Sequence, residues 1–339
     1  MATDDRQLEK RLSDLLAMQA IYSAIALGVI DRLAAGPMTA ERMSEAIAAE
    51  PRATGHLMRL LADEGIVQGL PGGEWTLTDF GVRLRPAAPR SLHGMVMSYI
   101  ELLHPAWQQL RLSIATGQSG FVAAFNTGLY EHLAGAPQAA GHFNRWMDAS
   151  GSDLLPALLK AYDFAPFRSF VDVGGNRGRL SAALLAAHPC MTGTLFDLES
   201  ALADAPALLA AAGVEGRCER IAGSFFEAVP QGAELYLLSR VLFNWDDARA
   251  VALLKQVRAA MPPQGVLLVI DMALPDEGSA PADTATSLNL LALFGVTLRT
   301  VGEYRGLLER VGLLTRRSGR IADTDLVLFE AVPATDRHP

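Results

Sequence analysis

Cysteine is nearly missing from this chain: Cys190 and Cys218 are the only two in 339 residues. Two cysteines make no disulfide framework, and neither stands at metal-ligand spacing. A cationic surplus is missing too. Lys and Arg total 29 against 37 Asp and Glu, for a net charge of −8, which argues against general affinity for nucleic acid or an anionic membrane. No apolar stretch approaches the roughly 20 residues of a membrane span. The charged opening segment 1–10 lacks the apolar core of a secretory signal. His93, His104, His132 and His142 form no His-Glu-x-x-His run or similar metal site. Charged residues make up only 19% of the chain and hydrophobic residues 50%, a globular rather than a disordered balance. The expectation is a soluble protein of the reducing cytoplasm with no metal, no nucleic-acid partner and no membrane. Its length suggests two domains.

The first half is written in helical periods. Leu8, Leu12, Leu15 and Leu16 share one helical face, and the pattern runs on over 20–33 to a stop at Gly36-Pro37. Thr39 is an N-cap for a helix over 40–49. Pro51 opens a further helix, which Gly65 ends. Two short β runs, 66–70 and 75–77, flank Pro71-Gly72-Gly73 and predict a hairpin. Helices followed by a hairpin suggest a winged helix. The would-be recognition helix carries Arg52, His56 and Arg59 but also Asp63 and Glu64, so a packing or dimerisation role is preferred to DNA binding. Residues 91–162 remain helical, with segments over 91–115, 128–134 and 137–162. Phe143 and Met147, an i, i+4 pair, share a face there.

The rhythm then changes. Short β runs over 169–173, 192–197, 218–222, 234–238 and 266–271 alternate with helical stretches over 178–187, 201–212 and 246–260. Such alternation predicts an α/β fold with a parallel sheet covered on both faces. The end differs: a helix over 304–311 leads to strands over 314–318 and 323–331, joined so tightly that they must pair antiparallel.

The densest chemical signal is Phe170–Gly178, Phe-Val-Asp-Val-Gly-Gly-Asn-Arg-Gly. A strand enters a glycine-rich turn and a helix leaves it, which is the setting of a nucleotide site. Gly174, Gly175 and Gly178 let a ligand approach the backbone. Asp197 closes the second strand, where a carboxylate accepts from the hydroxyls of a ribose. Asp172, just before the turn, suits a cationic ligand and repels a pyrophosphate.

These segments resemble the S-adenosylmethionine (SAM)-dependent O-methyltransferases of plant phenolic and bacterial secondary metabolism. The likeness rests on Val171–Gly178, Leu195-Phe-Asp-Leu198, Gly223-Ser-Phe-Phe-Glu227, Ser239–Asp247, Pro263–Asp271 and Arg299-Thr-Val-Gly-Glu303. It implies a class I methyltransferase Rossmann-like fold behind an N-terminal helical, winged-helix dimerisation domain. The expected organisation is a dimerisation domain over 1–90, a helical layer over 91–162 and a SAM-binding domain over 163–334. The resemblance also implies a homodimer, SAM as cofactor and a small aromatic acceptor. By this likeness Gly174, Gly175 and Gly178 line the methionine part of SAM. Asp197 holds the ribose, while Leu198, Ser224, Phe225 and Trp245 surround the adenine. Ser239 and Arg240 lie near the sulfonium, and Phe143, Met147, Phe243 and Asn289 face the acceptor.

Three positions depart from the family pattern. Asn176 replaces a glycine, and Ser224 replaces an aspartate. Where the family carries a histidine base in Leu-His-Asp-Trp, this chain has Leu242-Phe243-Asn244-Trp245. Asp271, shortened from glutamate, stands where the residue that steadies that histidine belongs. Phe243, Asn244 and Asp271 therefore make an altered catalytic set. The expectation is methyl transfer by positioning to an acidic oxygen, a nitrogen or a carbon centre. The alternatives are a SAM-binding relative with non-methylating chemistry (hydroxylation, decarboxylation or a pericyclic step) and a winged-helix DNA regulator.

Overall fold

The computed structural model describes residues 3–150, 154–276, 284–322 and 324–334. They divide into two compact units. One holds Met1–His104 and Gly141–Ala149, the other Pro105–Ala140 and Ser150–Pro339. The helical stretch 91–162 is thus shared between both units.

The first unit starts with a helix over Thr3–Ala26 and, after Gly28 in the left-handed region (φ 76°), a second over Val29–Ala35. Strand β1 is Met38–Thr39. Thr39 caps the helix Ala40–Ala46, its side chain accepting from the Arg42 N–H. That helix stops three residues earlier than the pattern predicts, and Ala48 turns left-handed (φ 52°). The helix Pro51–Asp63 follows, capped by Glu50. Strands β2 (Val67–Gly69) and β3 (Glu74–Leu77) form the predicted hairpin, and β1 adds on the far side of β3. Ile30, Met43, Met58, Leu61, Ile66 and Val96 make the core. By contrast Leu8, Leu12, Leu15 and Leu16 are all exposed, by 49–69%.

The predicted single helix over 91–115 is broken. His93–Ser98 runs into a π-helical turn, Tyr99–Leu103, and then into His104–Gln108. Pro105 has no N–H to give to the turn before it, which favours a widened turn there.

In the second unit the strands are β4 (Ser169–Val173), β5 (Thr192–Asp197), β6 (Cys218–Ala222), β7 (Leu235–Ser239), β8 (Val266–Met272), β9 (Leu313–Arg320) and β10 (Leu326–Pro333). The predicted last strand began at Asp323, which lies outside the described residues, as do 151–153 of the predicted helix over 137–162. The sheet order is β6-β5-β4-β7-β8-β10-β9, parallel from β6 to β8 and antiparallel at β10 and β9. Both faces of the sheet are apolar, and successive residues alternate between them. Phe170, Leu237, Leu268 and Ile270 enter one core with Leu184 and Leu209 from the helices Arg179–Ala187 and Ala205–Ala211. Val171, Tyr236, Leu267 and Val269 enter the other with Leu253 and Leu307 from Asp247–Ala260 and Val301–Glu309. The predicted helix over 201–212 is split: Pro206 starts a new helix at its first turn, where its missing N–H costs nothing.

Between β8 and the helix Val301–Glu309 lies an insertion containing a helix over Thr284–Phe294. Its ends are tied together. The Leu274 N–H donates to Arg299 O (2.8 Å) and the Val301 N–H to Leu274 O (2.9 Å).

Candidate active site

The glycine turn stands at the carboxyl end of β4, between β5 and β7. The Gly174 N–H donates to Phe196 O (2.8 Å), and Asp197 Oδ2 accepts from the Asn176 N–H (2.8 Å). The turn is thereby stitched to β5. Asn176 takes the left-handed region (φ 52°), which asparagine tolerates better than most residues, so the loss of a glycine is absorbed locally. At Gly175 a Cβ would stand 2.5 Å from Leu195 Cδ1 and 2.6 Å from Asp172 Cγ. Gly174 and Gly178 hold positive φ (73° and 82°).

Asp172 is not at the surface of this turn. It is 1% exposed and its Oδ2 accepts from Ser181 Oγ (2.7 Å). Burial pushes its carboxyl up to about 6, with the Ser181 hydroxyl pulling the other way. The expectation of a ligand-facing carboxylate is corrected: Asp172 supports the turn from beneath. Asp197 is better placed for a ribose. Each of its oxygens accepts one backbone N–H, from Asn176 and Leu198, which leaves lone pairs for a vicinal diol. Burial raises its pKa, and hydrogen bonds from a diol would favour the charged form.

Beyond Asp197 lies an aromatic group. Phe226 meets Trp245 edge-on (4.8 Å), Phe225 meets it at 6.1 Å, and the Arg249 guanidinium lies over both Phe226 (5.0 Å) and Trp245 (5.1 Å). The Trp245 indole N–H is buried and has no hydrogen-bond partner among the described residues. Ser224 Oγ accepts from the Phe226 N–H (3.3 Å). Leu198 is 40% exposed beside Asp197. The Phe225 and Phe226 rings meet Trp245 nearly at right angles, and the three form an apolar cluster that holds one unpaired indole donor.

The segment after β7 is held by its backbone. Ser239 ends the strand, and Arg240 is in the left-handed region (φ 60°), its N–H donating to Ile270 O (2.8 Å). Leu242–Asn244 form a 3₁₀ turn. Arg299, 7% exposed, donates from Nη1 to Leu242 O (3.2 Å) and from Nη2 to Trp245 O (2.6 Å), and pairs with Asp247 (2.8 Å). Behind the turn Asp271 is fully buried and accepts from the Leu242 N–H (3.1 Å) and Tyr304 Oη (3.4 Å). Burial pushes the Asp271 carboxyl up to about 8, against the pull of the Phe243 and Leu242 N–H groups. It is therefore mostly neutral at pH 7. Phe243, 8% exposed, packs with Leu290, Leu298 and Phe294.

Residues 107–314 match the family model described as an O-methyltransferase domain, and residues 11–84 match the O-methyltransferase dimerisation domain. The chain belongs to the O-methyltransferase family. This methyltransferase is 36% identical, over 91% of its length and 84% of the relative's, to O-demethylpuromycin-O-methyltransferase of Streptomyces alboniger. It is 35% identical, over 91% and 90%, to the mitomycin biosynthesis 6-O-methyltransferase of Streptomyces lavendulae. Its fold is that of the O-methyltransferase NcsB1 from neocarzinostatin biosynthesis, solved in complex with SAM and 2-hydroxy-5-methyl naphthoic acid: TM-score 0.81, 32% identity, covering 95% of this chain and 98% of that one. The protein is a SAM-dependent methyltransferase with a class I fold. Nothing in these likenesses supports the DNA-binding or the non-methylating alternative.

Many of the predicted residues stand at strand ends or in the loops that follow them. Asp197, the glycines, Phe225, Ser239, Arg240, Phe243, Asn244, Trp245 and Asp271 come from the ends of adjacent strands and their loops. Asn289 lies on the insertion helix, its Oδ1 accepting from Trp107 Nε1 (2.8 Å). Phe143 and Met147 belong to the other unit, where Phe143 is buried and meets Trp146 edge-on (5.9 Å). Sequence reasoning did not assign Tyr130. This tyrosine stacks on Trp245 (5.7 Å) and on Phe294 (5.8 Å) and accepts from Asn244 Nδ2 (3.0 Å). Nor did it assign a role to Arg299, although that residue opens one of the recognised segments.

Proposed function

We propose that this methyltransferase acts on a small aromatic or polyketide-like secondary metabolite and works by holding the acceptor in place, with no histidine base. The observation that carries the proposal is Phe243, packed among Leu290, Leu298 and Phe294 where the family's base belongs. Phe243 excludes water and offers a flat face for stacking. Behind it, the near-neutral Asp271 carboxyl spends its contacts on the turn's backbone.

Bound SAM supplies an electrophilic methyl group on a cationic sulfur. In our reading Asp197 and the turn Gly174–Gly178 hold its nucleoside and methionine parts, and Ser224, Phe225 and Trp245 enclose the adenine. Asn289 would contact the acceptor. A site without a base disfavours a weakly acidic phenol, since general-base help is typically worth about 10²–10⁴ in rate. An acidic enol or phenol, a ring nitrogen or an activated carbon needs less help, because positioning alone lowers the barrier.

The test is mass spectrometry after incubation with SAM and a panel of aromatic acceptors. Methylated products from acidic acceptors, with ordinary phenols left unmethylated, are expected. A product without an added methyl, with SAM uncleaved, would refute the proposal.

The same reading makes the protein a cytoplasmic homodimer joined through its first unit. Its support is the matched dimerisation domain together with the exposed stripe Leu8, Leu12, Leu15 and Leu16, since monomers rarely leave such a stripe uncovered. Sedimentation equilibrium would read a dimer mass, and a monomer at micromolar concentration would rule the dimer out.

A further inference from the structure

In the base-free site the Tyr130 hydroxyl is held at its oxygen, while its hydrogen has no acceptor among the described residues. Tyr130 Oη accepts from Asn244 Nδ2 (3.0 Å), and Asn244 Nδ2 also donates to Arg240 O (3.4 Å). With its lone pair engaged by Asn244, the hydroxyl is left to donate its proton outward. Stacking on Trp245 and Phe294 fixes the ring. Tyr130 thus bridges the two halves of the site: Trp245 belongs to the aromatic cluster assigned to the adenine, while Asn244 and Phe294 adjoin Phe243.

The charges that face this hydroxyl are those of Asp197, Arg240 and Asp271. Asp197 is tied to the turn backbone. Asp271 carries little charge below about 8. Arg240 favours an anion at this hydroxyl and the Asp197 charge opposes it more strongly, so the preference must come from the hydrogen bond that Tyr130 donates.

We propose that the Tyr130 hydroxyl, oriented by Asn244, binds the reacting oxygen of the acceptor as its anion. The site therefore selects aromatic acceptors that are already ionised at neutral pH, such as hydroxyquinones and nitro- or acyl-substituted phenols. This rests on the reading that the protein methylates an aromatic acceptor without a base. Tyr130 itself does not serve as that base. Burial, first, and the Asp197 charge, second, push its phenol well above the usual range, so it remains a donor throughout the working pH. A hydrogen bond to the charged form of a ligand lowers that ligand's pKa.

The experiment reads ionisation of a bound chromophore rather than turnover. 4-Nitro-1-naphthol and 2-hydroxy-1,4-naphthoquinone, whose anions absorb at longer wavelength than their neutral forms, are titrated across pH with the enzyme saturated in S-adenosylhomocysteine. The expected result is a bound-probe pKa at least one unit below the free value, a tenfold preference for the anion. In Tyr130→Phe, which keeps the ring stack, most of that shift disappears while S-adenosylhomocysteine affinity by calorimetry stays within about twofold. In Asn244→Asp a carboxylate faces the hydroxyl, and the probe pKa rises above the wild-type value.

Three results would overturn the proposal: probes bound as neutral molecules or not at all; an unchanged shift in Tyr130→Phe; or a tenfold loss of S-adenosylhomocysteine affinity in Tyr130→Phe with probe ionisation intact, which would assign the hydroxyl to the cofactor. The underlying reading fails separately. If probes bind as anions yet no acidic acceptor in the panel gains a methyl by mass spectrometry, the reaction assignment is wrong and the anion site stands.

Discussion

Replacing Asp271 by asparagine tests whether the carboxyl behind the catalytic turn is neutral. Asp271 is fully buried at the end of β8, and its Oδ2 takes the Leu242 N–H and the Tyr304 hydroxyl. A protonated carboxyl and a carboxamide have nearly the same shape, and each presents one acceptor oxygen, so asparagine stands in for the protonated form. With its pKa up to about 8 in the fold against about 3.9 in the unfolded chain, this residue binds its proton more tightly in the native state. The native state then carries more protons than the unfolded state, so stability falls as pH rises from about 4 to about 8. The slope is about 1.4 kcal/mol per pH unit. From pH 5 to pH 7 the wild type should therefore lose about 2–3 kcal/mol that the variant keeps.

The assay is urea unfolding of both proteins at pH 5, 6 and 7. Other groups titrate in this window, among them Asp172, which burial pushes up to about 6, but they are common to both proteins and cancel in the difference. Parallel curves, with the gap between the two proteins constant to about 0.5 kcal/mol, would show that Asp271 is ionised throughout, and the argument for a neutral carboxyl would fall.

Three further substitutions probe the same site. Arg299→Ala leaves the Trp245 carbonyl without its Arg299 donor, at about 1–3 kcal/mol, while the Leu242 carbonyl keeps the Trp245 N–H (3.2 Å) and the ion partner Asp247, 63% exposed, adds little. Urea melts should show a loss of about 1–3 kcal/mol, partly restored by Arg299→Lys; a loss under about 0.5 kcal/mol would mean the turn holds itself. Phe243→His should raise kcat/KM for ordinary phenols by about ten- to a hundredfold at pH 8, and unchanged selectivity in that comparison would count against the reading of this position. Gly175→Ala drives a Cβ to 2.5 Å from Leu195 Cδ1 and should weaken S-adenosylhomocysteine binding at least tenfold by calorimetry. Wild-type affinity in that variant would show that the turn has slack.

The sheet was legible in the sequence because each strand carries its own signal. β4, β5 and β6 begin and end at the predicted residues, and the split of the 201–212 helix follows from Pro206. The capping box formed by Thr300 and Glu303 starts the helix at Val301, three residues before the periodic pattern does. What local pattern could not supply was long-range. Tyr130 reads as one aromatic in a short amphipathic helix, and only the fold brings it against Asn244, 114 residues away. Arg299 reads as a surface cation until two carbonyls and Asp247 close around it. Asp172 misled because a carboxylate next to a glycine turn reads the same whether it faces a ligand or supports the turn. Its bond to Ser181 decides the matter, and nothing in the spacing of those two residues announces which of the two arrangements holds.

The order of strands in the large sheet also bears on how the protein can be made. The last strand, β10 (Leu326–Pro333), lies between β8 and β9, pairing with both. A ribosome that has finished residue 320 has already released β8, whose residues Val266–Asp271 are all buried in the finished fold, with no neighbour on that edge. An apolar unpaired edge is a template for another chain, and the gap closes only when β10 itself leaves the exit tunnel. The sheet is thus completed only when residues 326–333 are free to fold, after every other strand has been made. A frameshift or nonsense codon before residue 326 would remove an inner strand of the sheet and send the product to proteolysis.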